Sequence, residues 1–182
     1  MTESAQSDDG VHCAFFYGTL MVPEVFYTVC YNTKTVPDAI AAQHTFTPAI
    51  LPGYCRRRIK WADYPGITED ADHTVLGIFA TGLTRANMGK LDHFEGAEYE
   101  RRTVKVKLLE KVGDVKTGEG NVEAAGGERE AEVYVFMPTQ HLEEKEWDLE
   151  EFRKEKLKLW TRADLIFADC DPDKPATLAS AV

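Results

Sequence analysis

No two cysteines in this sequence are spaced Cys-x-x-Cys; the four present, Cys13, Cys30, Cys55 and Cys170, lie far apart. That excludes a zinc knuckle and a dithiol redox motif. A chain of 182 residues can bury a core without cross-links, so the cysteines read as reduced and mostly buried. A Gly-x-x-x-x-Gly-Lys phosphate loop is absent too. Cations are scarce: Lys and Arg total 21 against 31 Asp and Glu, a formal charge of −10. Affinity for a phosphate backbone needs clustered cations, so no nucleic-acid partner is expected. No apolar stretch is long enough to span a membrane, and no apolar run follows a basic start as in a secretory leader. The expectation is a soluble, cytoplasmic protein with no membrane partner. No nucleophilic triad or metal-ligand cluster stands out, so neither a cofactor nor a metal is expected. What remains is ordinary globular composition, 43% hydrophobic and 29% charged.

Read in order, residues 1–11 form a polar tail. Val11 to Tyr17 is a short aromatic-rich run that fits a buried strand. Gly18-Thr19 breaks it, and Pro23 is placed to open a helix running to about Cys30. Residues Asn32 to Gln43 read as a connection or a short helix. His44 to Leu51 is a strand, Pro52-Gly53 a turn, and Tyr54 to Trp61 another strand. The basic run Arg56 to Arg58 reads as a solvated face balancing acids, with a substrate carboxylate as the second reading. Pro65-Gly66 has the order of a type II turn. Thr74 to Ala80 is a strand whose Gly77 signals a bulge or a close backbone approach. Thr84 caps a helix over Arg85 to Glu95, with Met88, Leu91 and Phe94 as its core stripe. Tyr99 to Leu109 alternates like a half-buried strand. Residues 113–128 lack periodicity and read as a mobile hairpin loop. Ala131 to Met137 is a last strand, and Trp147 to Trp160 a helix. One domain over 12–170 is expected, with 171–182 as a second tail. About six strands and three helices without regular alternation predict an α+β fold rather than a doubly wound sheet.

Two stretches carry chemistry. Backbone N–H groups after Gly18, at a strand-to-helix passage, can bind an anion or an oxyanion; an ordinary tight turn would look the same. Glu95 ends its helix, where unpaired carbonyls place partial negative charge. A carboxylate there is disfavoured, so its pKa is expected to rise, more so if Phe94 and its neighbours exclude water. A carboxyl tuned upward suits a general base near neutral pH. Glu95 lies four after Leu91, so it shares the inward side of the helix.

Phe16-Tyr17-Gly18-Thr19-Leu20 and Leu91-Asp92-x-Phe94-Glu95-Gly96-x-x-Tyr99-x-Arg101, in that order, resemble the γ-glutamylcyclotransferase-like superfamily, in particular its AIG2-like and γ-glutamylamine cyclotransferase branch. Tyr64-Pro65-Gly66, Val75-x-Gly77-x-Phe79 and Ala131-x-Val133-Tyr134 support the match, which covers about Phe15 to Trp160. The resemblance implies a small mixed β-barrel surrounded by helices. It implies a substrate loop of Tyr17, Gly18, Thr19 and Leu20 facing Glu95 as proton acceptor, with Tyr64, Tyr99 and Arg101 shaping the pocket or packing beside it. The implied partner is a small γ-glutamyl compound, cyclised to 5-oxoproline with release of an amine. Thr19-Leu20 departs from the Ser-Asn of glutathione-type members. The alternatives are a non-catalytic binding module of the same fold, in stress or defence, and a γ-glutamyl-processing enzyme of a secondary-metabolite pathway. The oligomeric state is left open.

Overall fold

The computed structural model describes residues 11–62, 64–115, 117–148 and 151. The expected tails, Cys170 and most of the expected helix Trp147 to Trp160 lie outside them. Five strands, β1 (His12–Phe16), β2 (Thr45–Arg58), β3 (Pro65–Leu83), β4 (Tyr99–Lys111) and β5 (Val122–Phe136), are joined by α1 (Pro23–Tyr31), α2 (Asp38–Ala41) and α3 (Arg85–Glu95). The fold is α+β. The strands close in the order β1-β3-β2-β4-β5; the pairs are antiparallel except β1 with β5, which meet in parallel at Ala14 and Glu132.

Strand alternation builds two cores from the same strands. Phe15 and Tyr17 point into the ring, with Leu51, Ile67, Val75, Val106 and Val133. Ala14 and Phe16 point outward, against Val25, Phe26, Met88 and Leu91 of α1 and α3. Fully burying a side chain such as Phe26 stabilises by about 1.5–3 kcal/mol relative to leaving it exposed. The α3 stripe follows the expected spacing, with Met88 and Leu91 buried and Phe94 packed partly against them. Thr84 caps α3 in a reciprocal pair: its Oγ1 accepts from Asn87 N at 3.1 Å, and Asn87 Oδ1 accepts from Thr84 N at 3.0 Å.

Several local expectations are corrected. Pro52-Gly53 does not reverse the chain: β2 runs through it, because β3 pairs on both sides. The irregularity lies between Pro52, opposite Thr74, and Tyr54, opposite Glu69, with Gly53 at φ +83°. Two expected strands are therefore one. Pro65-Gly66 is not a turn but the start of β3, opposite Arg58 and Arg57. Residues 122–127 belong to β5, held by pairing with Leu109 and Lys111. The remaining hairpin loop is tied by Asp114 N to Glu119 O at 2.8 Å and by Gly113 N to Asn121 Oδ1 at 2.8 Å. Trp147 precedes the expected helix: Asp148 accepts from Glu151 N at 3.2 Å as an N-cap does, and Trp147 is buried.

At Gly77 the close-approach reading holds. A Cβ there would stand 2.4 Å from Phe16 O and 2.5 Å from the Phe15 ring, so only glycine lets β1 lie against β3. Cys30 and Cys55 are buried and Cys13 partly so, all three as free thiols.

Candidate active site

One end of the ring gathers the end of β1, the start of β3, the start of β4 and the end of β5. Register sets this meeting: Tyr99 pairs with Phe136, and Arg101 with Tyr134. α3 delivers Glu95 to the same end. Gly96, at φ +81°, stops the helix there, and its N–H closes on Asp92 O at 3.1 Å.

Tyr17, Gly18, Thr19 and Leu20 are buried. After β1 the chain makes a single 3₁₀ turn (Thr19–Met21) before Pro23 opens α1. That turn uses Met21 N to Gly18 O at 3.0 Å and Val22 N to Thr19 O at 3.1 Å. The N–H groups of Gly18, Thr19 and Leu20 lie upstream of both bonds, as the first donors of any helical turn do. Gly18 is pressed against Pro65: a Cβ would meet its ring carbons at 2.7 and 2.8 Å. Gly66 makes room for Phe136 in the same way, with a hypothetical Cβ only 2.6 Å from Phe136 Cβ. The Tyr64-Pro65-Gly66 motif is thus a packing element that seats the loop.

Tyrosines link the loop to α3. Tyr17 Oη donates to Tyr134 O at 2.5 Å, and Tyr99 Oη to Pro65 O at 2.9 Å. Tyr134 Oη donates to Asp92 Oδ1 at 2.8 Å. All four tyrosines, Tyr17, Tyr64, Tyr99 and Tyr134, have their phenol pKa raised first by burial, and the Glu95 charge adds to each. That shared influence brings Glu95 together with Tyr17, Tyr64 and Tyr99, three of the residues singled out in the sequence.

Glu95 itself keeps partial solvent exposure as a residue. The protein around its carboxyl nevertheless pushes the pKa up to about 8, by burial first and by the Asp92 charge second. The direction matches expectation. Of the two contributions expected, removal of water leads, and the helix end supplies the position. Asp92 is three residues before Glu95 on one helix face, a like-charge pair whose spacing was readable in the sequence.

Arg101 touches the tyrosine cluster only at Tyr134, whose hydroxyl shares Asp92 Oδ1 with it. It pairs with Asp92 at 3.3 Å and Glu132 at 3.2 Å, and His12 meets Glu132 at 2.8 Å. Its place is beside the pocket, one contact removed from Glu95 through Asp92. Glu98 is exposed.

Arg56 corrects the reading of the basic run. Arg57 and Arg58 meet acids, Asp70 at 3.7 Å and Glu143 at 4.0 Å. Arg56 is buried, 8% exposed, with Nη1 donating to Tyr17 O at 2.9 Å. Strand alternation turns it inward, and nothing in three consecutive arginines signals which one that will be. Sequence reasoning also passed over Tyr134, read only as part of a strand, although it binds both Tyr17 and Asp92.

Among the described residues, Cys55, Asp70 and His73 bring metal-type ligand atoms within 4.8 Å of one another. They sit at the β2–β3 irregularity, where Asp70 is already held by His73 at 2.9 Å and approached by Arg57. No described helix is long and apolar enough to cross a membrane.

The family model "Gamma-glutamyl cyclotransferase, AIG2-like" matches residues 14–154. AIG2-like protein C of Arabidopsis thaliana is 33% identical over 141 residues, 77% of this chain and 68% of that protein. Protein AIG2 C of the same plant is 30% identical over 151 residues, 81% of this chain and 75% of that protein. A solution structure of an Arabidopsis thaliana protein is similar with a TM-score of 0.55 at 25% identity, covering 97% of this chain and 99% of that one.

Proposed function

The chain belongs to the AIG2-like gamma-glutamyl cyclotransferase family, and from that premise we propose that it cyclises a γ-glutamyl amide or peptide to 5-oxoproline. The supporting observation is the Glu95 carboxyl, pushed up to about 8 beside the tyrosines that adjoin the Tyr17–Leu20 loop. The reaction is an intramolecular aminolysis. The substrate's α-amine attacks the carbonyl carbon of its own γ-glutamyl amide (Cδ of the glutamyl group), the N–Cδ bond forms and closes the five-membered ring, and the bond from Cδ to the leaving amine breaks. The nucleophile is the substrate's, so the protein must supply a folded conformation, a base and donors for the oxyanion.

Glu95 is the base. An α-amino group titrates near 8, so its proton passes to Glu95 with little uphill cost, and Glu95 returns it to the departing amine. The N–H groups at Gly18 to Leu20 hold the oxyanion or the substrate carboxylate. Tyr64 and Tyr99 line the pocket and keep water from the base. Arg101 holds Asp92, and through it the charge that bears on Glu95.

The test is a panel of γ-glutamyl amides and peptides, assayed for 5-oxoproline by mass spectrometry. Wild type releases 5-oxoproline from at least one. Folded Glu95→Gln is slower by about 10²–10⁴, the usual contribution of a positioned base. Glu98→Gln, at an exposed neighbour, changes turnover far less. No 5-oxoproline from any compound, with binding retained, would turn the reading to a non-catalytic binding module.

A further inference from the structure

The fold does not account for Arg56. Removing a guanidinium from water is costly unless it is well paired, and this one is 8% exposed. Its partners are a poor repayment for an ion. Nη1 donates to two main-chain carbonyls, Tyr17 O at 2.9 Å and Leu76 O at 3.3 Å. Nη2 meets Glu146 at 3.5 Å, a side chain 60% exposed. The guanidinium carbon stands 5.6 Å from the Trp147 ring centre. Nε is buried and has no partner among the described residues. Apolar residues in place of buried ions are often neutral or stabilising, so stability alone gives weak reason for an arginine here.

The consequence falls on the peptide between Tyr17 and Gly18. A trans peptide is planar, and its C=O and N–H point in opposite directions. Anchoring Tyr17 O on Arg56 therefore aims the Gly18 N–H away from β2 and holds it there. A cation on the carbonyl also polarises the amide, which makes that N–H a stronger donor. The Pro65 ring fills the place where a Gly18 Cβ would stand. We propose that Arg56 is a positioning residue: by gripping Tyr17 O it orients and strengthens the Gly18 N–H that receives the substrate's developing negative charge. This deepens the substrate role given to the loop and rests on it.

The experiment uses the full-length protein and two variants, Arg56→Met and Arg56→Lys, each checked for folding by circular dichroism and thermal melting. kcat/KM is measured on the γ-glutamyl compound that wild type turns over fastest, and the Gly18 amide resonance is followed in ¹H–¹⁵N spectra. Arg56→Met lowers kcat/KM by about 30–100-fold, the scale of a misaimed oxyanion donor. Arg56→Lys keeps the charge but replaces the planar guanidinium, whose Nη1 serves both carbonyls while Nη2 meets Glu146, with a single ammonium, and loses about tenfold. In both, the Gly18 resonance moves or splits while Gly96 stays in place. A folded Arg56→Met within about threefold of wild type overturns the proposal. So does lost activity with Gly18 unmoved, or a moved Gly18 with full activity. Should Arg56→Met not fold, Arg56→Lys decides by the same readouts. If wild type cyclises nothing on the panel, the cyclotransferase reading falls. The substrate role of the Gly18 N–H falls with it, and the Gly18 resonance decides what is left, that Arg56 orients this peptide: a resonance unmoved in the folded variants overturns that as well.

Discussion

Two influences raise the Glu95 pKa. Burial removes water, and Asp92 adds a like charge. Asp92 is itself balanced by Arg101 at 3.3 Å and bound by the Tyr134 hydroxyl at 2.8 Å. Asp92→Asn keeps an acceptor for Tyr134 while removing the negative charge. It also frees Arg101 to act on Glu95. Both changes favour the carboxylate, so the Glu95 pKa falls. The rising limb of kcat/KM against pH, which reports the free enzyme, lies near pH 8 in wild type and moves to lower pH in Asp92→Asn. A limb that stays in place would remove Asp92 from the mechanism. The position of Glu95 was legible from a helix stop, but its dominant cause of tuning was not. The tyrosines come from the residue before β3, from β4 and β5, and from the loop, and no local pattern says that they meet.

At the level of elements, α3 carries Glu95 and its cap is local. The Thr84–Asn87 pair needs only four consecutive residues, which is why sequence reading placed the helix over Arg85 to Glu95 as observed. Thr84→Ala removes the cap at a cost of about 1 kcal/mol, read as a lowered midpoint in urea unfolding. It leaves Glu95 at the far end of the helix, so the pH profile of kcat/KM stays put. β1 and β3 depend on a contact with no local signature beyond one glycine. In Gly77→Ala the new methyl would stand 2.4 Å from Phe16 O, and the two strands must separate. Overpacking of this kind costs about 1–3 kcal/mol. Phe16 leads directly into the Tyr17–Leu20 loop, so Gly77→Ala lowers both the unfolding midpoint and turnover. Strand ends were the least legible. Pro52-Gly53 and Pro65-Gly66 have turn chemistry, yet cross-strand pairing with Thr74 and Glu69, and with Arg58 and Arg57, carries the strands through them.

For the whole molecule, Glu95 couples function to stability. Its pKa is about 8 folded against an ordinary 4.5. The folded state therefore binds the extra proton between those limits. The stabilisation is fully present below about pH 4.5 and is lost as pH rises through about 8. Thermal midpoints of wild type should fall across that window relative to those of Glu95→Gln, which has no proton to lose. The formal charge of −10 acts on both proteins alike, so the difference between them isolates Glu95. A constant difference from pH 5 to 9 would mean that its carboxyl is not buried as described. The α+β class, the α3 boundaries, the cap, Gly77 and the order of the two motifs were determined by the sequence itself, because each depends on neighbours along the chain or on a single residue's shape. The closing of the strands on one another was expected only through the family resemblance, and no local pattern carries it. Tertiary structure alone turned Arg56 inward to grip Tyr17 and brought tyrosines of four separate segments within electrostatic reach of Glu95. Burial and electrostatic tuning are properties of what surrounds a group in space, and those surroundings come from distant parts of the chain.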